Sequence, residues 1–356
     1  MLEGPRAVSG AANEWARRPR RPWSPDRWGT LVCRAAWDET AEARAFLLAP
    51  ADGSRIEHDP GQYMTFRVQT PAGTVERSYT IASSAARDGG VEIVVKRKGG
   101  GAASALLHET LAPGATVEAL GPSGRFGPVA HPAERYLLAA AGSGVTPMLS
   151  ILRTAADRGI DLDAVLIHAA RDAGDAIAGA EIAGLPRRLP RLAIHTALSR
   201  EGSGRLDAEA VARLVPDMAR RTVLCCGPEG FMAAVREAAR RGGVPLGRYA
   251  EESFDFAAIR GDGPVPAGAP ARRVTFARSG RSFDCPEGVT ILRAAKEAGV
   301  PMPSSCARGQ CGTCKTFKHS GEVAMAHEGG IRPREIDRGF VLPCVARALT
   351  DVVLDR

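Results

Sequence analysis

The pattern of apolar and polar positions changes twice along the chain, and each change marks a differently built segment. From Trp28 to about Pro128, six short apolar stretches are separated by Asp-Gly, Pro-Gly, Ala-Gly and Gly-Gly turn signals. They read TLVCRAAW, ARAFLLA, QYMTFRVQT, RSYTIAS, VEIVVKR and ATVEAL. Short strands at this spacing predict an antiparallel β-barrel or sandwich over residues 28–128.

Residues 129–254 combine continuously apolar strands with helical segments. The strands are RYLLAAAG, AVLIHAA, RLAIHTAL and TVLCCG, and the clearest helices are SGVTPMLSILRTAADRG and PEGFMAAVREAARRGG. Apolar strands that alternate with helices are typical of a parallel sheet covered on both faces. This segment is therefore predicted to be an α/β domain.

A third segment follows a stretch that has almost nothing to bury. Residues 255–271 are rich in Gly, Ala and Pro, which predicts a linker. Beyond it, RRVTFARSGRSFDCPEG predicts a hairpin, TILRAAKEAG a short helix and DVVLDR a last strand. Residues 272–356 are therefore predicted to form a small α+β module.

The N-terminal segment, residues 1–27, is polar and rich in Arg and Pro. It lacks the apolar core of a secretory signal, so we predict a disordered tail and a cytoplasmic protein. No window carries the roughly 20 apolar residues of a membrane span, and no membrane association is expected. We expect a monomer.

The net charge of +7 is concentrated at the two ends of the chain. Residues 1–27 hold six arginines against three acids, and residues 272–356 hold fourteen Lys or Arg against nine acids. Nothing resembles a nucleic-acid-binding motif. The surplus on the third segment suggests a docking surface for an acidic partner, with a solvated face as the alternative.

Three of the eight cysteines fall in one loop, SSCARGQCGTC, with the spacing C-x4-C-x2-C, and Cys344 follows after 29 intervening residues. Structural zinc sites usually consist of two C-x2-C pairs. The order found here matches a plant-type [2Fe–2S] cluster, whose loop requires small residues such as those between these cysteines. A cluster is therefore favoured, and zinc is the alternative.

The cysteine segment also resembles a known family. PSSCARGQCGTCKTFKHSGEV, together with LPCVA, resembles the plant-type ferredoxin domain over residues 272–356. The resemblance implies a β-grasp fold, and cluster ligands Cys306, Cys311, Cys314 and Cys344. The acidic surface usual in that family is absent.

A glycine-rich turn, AAAGSGVTPM, lies between a predicted strand and a helix in the second segment. Gly142 and Gly144 would let the backbone approach a pyrophosphate, and a helix that begins near Thr146 offers free N–H groups. Pro147 stands where the third glycine of G-x-G-x-x-G would be, so an ordinary Rossmann dehydrogenase is disfavoured.

This G-x-G-x-x-P turn, the later CCGPEGFM and the earlier RSYT together resemble the ferredoxin–NADP reductase superfamily, over residues 28–254. The resemblance implies FAD, in preference to FMN, on the barrel. It assigns Arg77 to the flavin phosphate, Tyr79 to the ring and Thr80 to the neighbourhood of N5. The other residues implied to contact flavin are Ser78, Lys96, Gly101, Ala103 and Ser104.

The same resemblance implies a nicotinamide dinucleotide on the α/β domain. The pyrophosphate would lie on Gly142, Gly144, Thr146 and Pro147, and the nicotinamide beside Cys226, Gly227 and Pro228. EESF places Glu252 and Phe254 near the isoalloxazine, although Glu251 fits the motif equally. Thr80, Cys226 and Glu252 are thus the candidates nearest the reacting atoms.

Ser199, Arg200 and Arg205 follow the third strand of the predicted parallel sheet, where the superfamily holds the adenosine end. The two arginines could pair with a 2′-phosphate, which would favour NADPH, or could be solvated. The choice between NADH and NADPH therefore stays open.

The three cofactors explain the order of the segments. A nicotinamide gives up two electrons as hydride and a [2Fe–2S] cluster accepts one, so a flavin between them is required. This arrangement resembles the reductase components of bacterial Rieske non-haem iron oxygenases, including glycine betaine, carnitine and stachydrine demethylase systems. We therefore expect electron transfer from NAD(P)H to a separate terminal oxygenase. The alternatives are a hybrid-cluster-protein reductase and, in another class, a [2Fe–2S] redox sensor.

Overall fold

Three larger sheets, each with its own strand pattern, follow one another along the described chain, and a two-stranded ribbon accompanies the third. The structure is a computed structural model that describes residues 22–71, 73–97, 99, 101–202, 204–254, 268–300, 302, 309, 312, 314–327 and 330–356. None of the helices in these ranges is long and apolar enough to cross a membrane.

The first sheet has six antiparallel strands: β1 (Gly29–Thr40), β2 (Ala43–Pro50), β3 (Tyr63–Thr70), β4 (Gly73–Thr80), β5 (Val91–Lys96) and β6 (Thr116–Ser123). Their order is β4-β3-β6-β1-β2-β5. A bridge between Ile81 and Ile93 joins the two ends of that order, which closes the sheet into the predicted barrel. Helix α1 (Ala102–Thr110) packs Leu107 on the barrel core.

Part of the predicted N-terminal tail packs on this barrel. Pro22 forms a bridge with Arg55, and the Trp23 indole donates a hydrogen bond to the Gly121 carbonyl at 2.7 Å. The Trp23 ring also lies so close to Gly29 that a side chain there would overlap it. The predicted end of the tail at residue 27 therefore lies too far along the chain. The apolar Trp23 ring, within this polar stretch, packs on the barrel. Residues 1–21 lie outside the described part of the chain.

The second sheet is parallel and has the strands β7 (Arg135–Ala141), β8 (Asp163–Ala170), β9 (Leu192–Leu198), β10 (Thr222–Cys226) and β11 (Tyr249–Glu252). Between them run α2 (Val145–Arg158), α3 (Gly179–Gly184), α4 (Ala208–Leu214) and α5 (Glu229–Arg241). Neighbouring residues Leu137 and Leu138 enter two different cores, so both faces are covered, as the continuous apolar strands predict.

The strand order β11-β10-β7-β8-β9 positions the site. From β7 the chain first runs outward through β8 and β9, and later returns to the other side of β7 with β10. Ligands of open α/β sheets bind at the carboxyl ends of the strands where the order reverses in this way. A dinucleotide is therefore expected to bind at the carboxyl ends of β7 and β10.

The third sheet is mixed. Its module contains β12 (Ala271–Phe276), β13 (Ser282–Pro286), α6 (Ile291–Glu297), β14 (Thr316–Ser320), β15 (Val323–Met325), α7 (Pro333–Asp337), β16 (Phe340–Val341), β17 (Ala346–Ala348) and β18 (Val352–Leu354). Strand β12 pairs antiparallel with β13 and parallel with β18, while β15 and β17 form a separate ribbon. A helix on such a sheet is the predicted ferredoxin β-grasp, and the predicted fold class is confirmed for all three segments. Of the predicted linker, residues 255–267 lie outside the described chain.

Candidate functional site

Strand β4 carries the RSYT segment along one side of the barrel. Tyr79 packs its ring on Phe66 at a centroid distance of 5.9 Å, and burial raises the pKa of its phenol to about 12. Arg77 extends an exposed guanidinium, which donates to the Glu76 carbonyl at 2.8 Å. The Ser78 hydroxyl is engaged with that of Thr65 at 2.9 Å. The strand thus presents one cation and one neutral aromatic ring.

Thr80 is the last residue of β4, and its side chain could bind a ligand. It is 3% exposed, and its Oγ1 has no hydrogen-bond partner among the described residues. A buried hydroxyl without a partner is costly in a folded protein. A polar ring edge such as that of a flavin would satisfy it, so the residues present fit the cofactor implied for this barrel.

Three of the residues implied to contact flavin, Gly101, Ala103 and Ser104, lie where helix α1 begins. Gly101 is the N-cap, and the Ser104 hydroxyl donates to its carbonyl at 3.0 Å. Ala103 and Ser104 are both buried in the first turn. Since the amides of a first helical turn lack intrahelical acceptors, this end of α1 can accept a phosphate group.

Lys96 lies in an ion cluster between the barrel and the parallel sheet. Its ammonium contacts Asp175 at 2.8 Å and Glu42 at 3.7 Å. Arg171 pairs with the same two carboxylates at 2.8 and 2.6 Å. Hydrogen bonds from Arg171, with help from Lys96, hold the pKa of Asp175 at about 2. The structure therefore shows Lys96 joining two segments; its predicted contact with flavin stays a prediction.

The glycine-rich turn follows β7 as predicted, and α2 begins at Val145, one residue before the expected start. Gly142 has φ +55° and open space where a Cβ would be. A Cβ on Gly144 would lie 2.2 Å from the Cys226 carbonyl oxygen, so only glycine fits. Thr146 and Pro147 are buried in the first turn, where the Thr146 hydroxyl donates to Ser143 at 2.9 Å. Backbone at this turn can therefore approach a pyrophosphate.

Cys226 and Glu252 lie side by side where β10 and β11 end. Both are at most 1% exposed. Burial, and then the nearby Glu252 charge, raise the pKa of the Cys226 thiol well above its ordinary value. Cys226 is therefore a neutral thiol. Gly227 packs tightly on Ala141, and Pro228 caps α5.

The ambiguity between Glu251 and Glu252 is reduced by the alternation of β11. Glu251 pairs with Cys225, and its carboxylate accepts from Arg236 at 2.9 Å and from the Tyr249 hydroxyl at 2.9 Å. Glu251 thus belongs to a salt-bridged network on the far face of the sheet. Glu252 faces the same core as Cys226, against which Phe254 packs half-buried.

The predicted adenosine end follows β9. The Ser199 amide bonds the Ala170 carbonyl at 3.0 Å, which ties this loop to the end of β8. Arg200 is exposed and pairs with Asp172 at 3.1 Å. Arg205 is exposed as well. The structure brings these residues to the same sheet edge as the glycine-rich turn.

Two of the four predicted cluster ligands are described. Cys314 and Cys344 are 2% and 6% exposed, form no disulfide with another described cysteine, and belong to one buried cluster. Cys306 and Cys311 lie outside the described residues. Two buried thiols that converge from distant parts of the module fit a thiolate-bound cluster.

The backbone around these thiols is built from left-handed glycines. Gly309 and Gly312 have φ of +74° and +71°. A Cβ on Gly309 would lie 2.9 Å from Val345, and one on Gly312 would lie 2.9 Å from the Gly330 carbonyl. Glycine is therefore required at these two positions by close packing on the rest of the module.

Three matches to known domain families cover these segments. The family described as "Oxidoreductase FAD-binding domain" matches residues 39–127, and "Oxidoreductase NAD-binding domain" matches residues 138–237. The "2Fe-2S iron-sulfur cluster binding domain" matches residues 274–349. The predicted cofactors FAD, NAD(P)H and a [2Fe–2S] cluster are thereby confirmed.

Similar proteins carry all three segments. The stachydrine N-demethylase reductase subunit of Rhizobium meliloti is 33% identical over 91% of this chain and 96% of its own length. The glycine betaine monooxygenase reductase subunit of Pseudomonas aeruginosa is 32% identical over 91% and 94%. Among solved structures, phthalate dioxygenase reductase is 26% identical, with a TM-score of 0.58 over 92% of this chain and 98% of that one.

Proposed function

Because this chain belongs to the family of three-domain reductase components of oxygenase systems, we propose that it passes electrons from NAD(P)H through FAD and a [2Fe–2S] cluster to a separate terminal oxygenase. The observation that carries this function is a match that runs through all three domains, over 91% of this chain and 96% of the stachydrine relative. The relatives give no support to a hybrid-cluster-protein reductase or a redox sensor.

Bound FAD would supply the one step that no side chain here can perform, which is to take an electron pair and release single electrons. We assign Arg77 to its phosphate, Tyr79 to its ring and the buried Thr80 hydroxyl to the polar edge near N5. The pKa of about 12 keeps the Tyr79 phenol neutral at physiological pH. Ser78 would hold the strand in place through its bond to Thr65.

The end of α1 completes this assignment. Gly101, Ala103 and Ser104 would present backbone donors to phosphate, since the first-turn amides are free of intrahelical acceptors. Lys96 would act through the ion cluster with Asp175, by fixing the barrel against the parallel sheet.

On the α/β domain we assign the pyrophosphate to Gly142, Gly144, Thr146 and Pro147. The nicotinamide would lie at Cys226, Gly227 and Pro228, with Glu252 and Phe254 closing the space toward the barrel. The buried surroundings of Cys226 exclude water from this place, and the neutral thiol itself is not a competing base. Such a site positions a hydride donor; it needs no side chain to move a proton.

The adenosine end would contact Ser199, Arg200 and Arg205. Arg200 already has a partner in Asp172, and a 2′-phosphate would compete with that carboxylate. NADH and NADPH therefore both remain candidate donors. Cys306, Cys311, Cys314 and Cys344 are the proposed cluster ligands, of which the described pair, Cys314 and Cys344, is buried.

We further propose a docking face for the oxygenase around α7. Arg334 and Arg338 are exposed there and form no ion pair with another described residue, and Ile336 between them is 38% exposed. Helix α7 is tied to the cluster loop, because Glu335 pairs with Lys315, next to Cys314, at 2.9 Å. A cationic rim around an apolar residue suits an acidic partner face. The reductase itself would be a monomer.

Steady-state kinetics test the function and the docking face separately. Purified protein should sustain NADH- or NADPH-driven reduction of a small artificial one-electron acceptor, whereas a sensor would stop after one reduction. Replacing Arg334 and Arg338 by Glu should slow transfer to the oxygenase in a salt-dependent way and leave the small acceptor unaffected. Unchanged transfer to the oxygenase would exclude this docking face.

A further inference from the structure

We propose that Arg356 tunes electron transfer: its guanidinium, which is bonded to the backbone beside Cys314, raises the reduction potential of the cluster. This inference rests on the proposed function, since it requires a [2Fe–2S] cluster on Cys314. The sequence motifs give no sign of Arg356, which is the last residue of the last predicted strand, DVVLDR.

Hydrogen bonds fix Arg356 at its backbone and at its side chain. Its main-chain oxygen accepts from the amides of Arg278 and Ser279 at 2.6 and 2.9 Å. Its Nη2 donates to the Lys315 carbonyl at 3.1 Å, across 41 positions of the chain. Since Lys315 directly follows Cys314, this bond places the guanidinium at the edge of the proposed cluster.

The guanidinium is poorly hydrated. Its Nε is shielded from solvent and has no hydrogen-bond partner among the described residues. Burial lowers the pKa of Arg356, and the negative charge that a Cys314 thiolate carries opposes this. A positive charge in such surroundings is weakly screened, so it acts more strongly than a surface arginine.

The barrel also lies within electrostatic range of this guanidinium. Tyr63 and Asp26 both affect the pKa of Arg356. Tyr63 is paired with Thr80 across β3 and β4, and Thr80 is the residue assigned to the flavin edge. The charge is therefore within electrostatic range of the strand pair that carries this residue.

The direction of the effect follows from charge. A cluster held by four thiolates is anionic, and one added electron makes it more so. A fixed positive charge nearby stabilises the reduced form more than the oxidised form, and hydrogen bonding and charge around the sulfurs are recognised determinants of cluster potential. Arg356 should thus shift the flavin–cluster equilibrium toward the cluster.

An EPR-monitored redox titration of the full-length holoprotein tests this inference. Arg356→Gln should lower the cluster potential by an amount equal to about a 3- to 10-fold change in the equilibrium constant, where tenfold is 59 mV for one electron. Arg356→Lys should retain most of the wild-type potential. Arg273→Gln removes an exposed arginine paired with Asp284 in the same module and should leave the potential unchanged.

The outcomes separate cleanly. A wild-type potential in Arg356→Gln, with the cluster intact, overturns the inference. Loss of the cluster in Arg356→Gln but not in Arg356→Lys supports it, because then the charge is what the cluster requires. Loss in both variants overturns it in favour of packing. Absence of any cluster signal from the wild-type protein would instead refute the proposed function.

Discussion

The flavin barrel and the parallel sheet are joined in a way that the cluster module is not. One apolar core contains barrel residues such as Ala45 and Val94 together with sheet residues such as Leu138 and Leu166. Ion pairs reinforce this joint, among them Arg153 with Glu92 at 2.8 Å. The core of the cluster module, in contrast, draws all its residues from 274–354.

This difference corresponds to the two kinds of electron transfer. Hydride transfer requires two rings in fixed contact, and a misplacement of 1 Å is costly. Single electrons tolerate a gap between carriers, so the cluster can reside on a module with its own core. The shared core and the separate core should therefore respond differently to substitution.

The largest expected effect comes from Cys344→Ser, which removes a proposed cluster ligand from the separate module. The EPR signal and electron delivery to a one-electron acceptor through the cluster should fall to background, while flavin reduction by the nicotinamide keeps its rate. Stopped-flow absorbance and EPR measure the two steps. Cys285→Ala, at a buried cysteine of the same core that is not a proposed ligand, is the matched control. Slowed flavin reduction in Cys344→Ser would contradict the separation.

Arg153→Met removes an ion pair that joins the parallel sheet to the barrel. Arg153 is largely buried and also binds Glu181 at 2.6 Å, so its loss leaves carboxylates without their partner. The free energy of unfolding of the flavin half should fall by about 2–4 kcal/mol. Urea titration, followed by flavin fluorescence and by cluster absorbance, should show that only the flavin transition moves. Arg213→Ala, in an exposed helical pair with Glu209, should cost at most about 0.5 kcal/mol. Equal shifts of both transitions would mean one cooperative unit.

Gly144→Ala sharpens the comparison at the nicotinamide site. The new Cβ would meet the Cys226 carbonyl, so the turn after β7 must move away from the end of β10. Flavin reduction should slow by up to about 100-fold. Gly184→Ala, in helix α3 with open space around the new Cβ, should have no effect. Stopped-flow flavin bleaching measures both variants, and equal rates would show that this contact does not position the donor.

The smallest effect is pH-dependent. The pKa of Asp175 is about 2 in the folded protein, against an ordinary value of 3.8. A lowered pKa contributes stability above pH 3.8 that is lost as the pH falls toward 2, and here it amounts to about 1–2 kcal/mol. The unfolding free energies of wild type and Asp175→Asn should differ at pH 6 and converge near pH 2. A difference that is independent of pH would rule out this role.

Much of the fold could be predicted from the sequence, because the patterns that indicate it lie within short stretches of the chain. Strand alternation in the barrel, apolar runs in the parallel sheet and the spacing of Cys306, Cys311 and Cys314 all occupy short windows. The predicted strands correspond closely to the observed ones. Strands β11 and β14 to β17 were not predicted. In β11, two of the four residues are glutamates, Glu251 and Glu252, which hide the strand pattern.

The remaining features depend on contacts between distant residues. Arg153 meets Glu92 and Glu181 across 61 and 28 positions, so no window contains the joint. Lys96 was among the residues implied to contact flavin, yet only the fold shows its ion pair with Asp175. No sequence pattern around Arg356 indicates its role, because its guanidinium bonds Lys315, which lies 41 positions away.

The most direct test of the central claim is an anaerobic titration of the purified protein, with NADH and NADPH in parallel, followed by visible absorbance and EPR. Flavin bleaching followed by growth of a rhombic one-electron cluster signal is the predicted result, and the more effective donor identifies what Arg200 and Arg205 bind. Flavin bleaching without any cluster signal would contradict the proposed sequence of carriers, since the cysteines would then hold zinc or no metal.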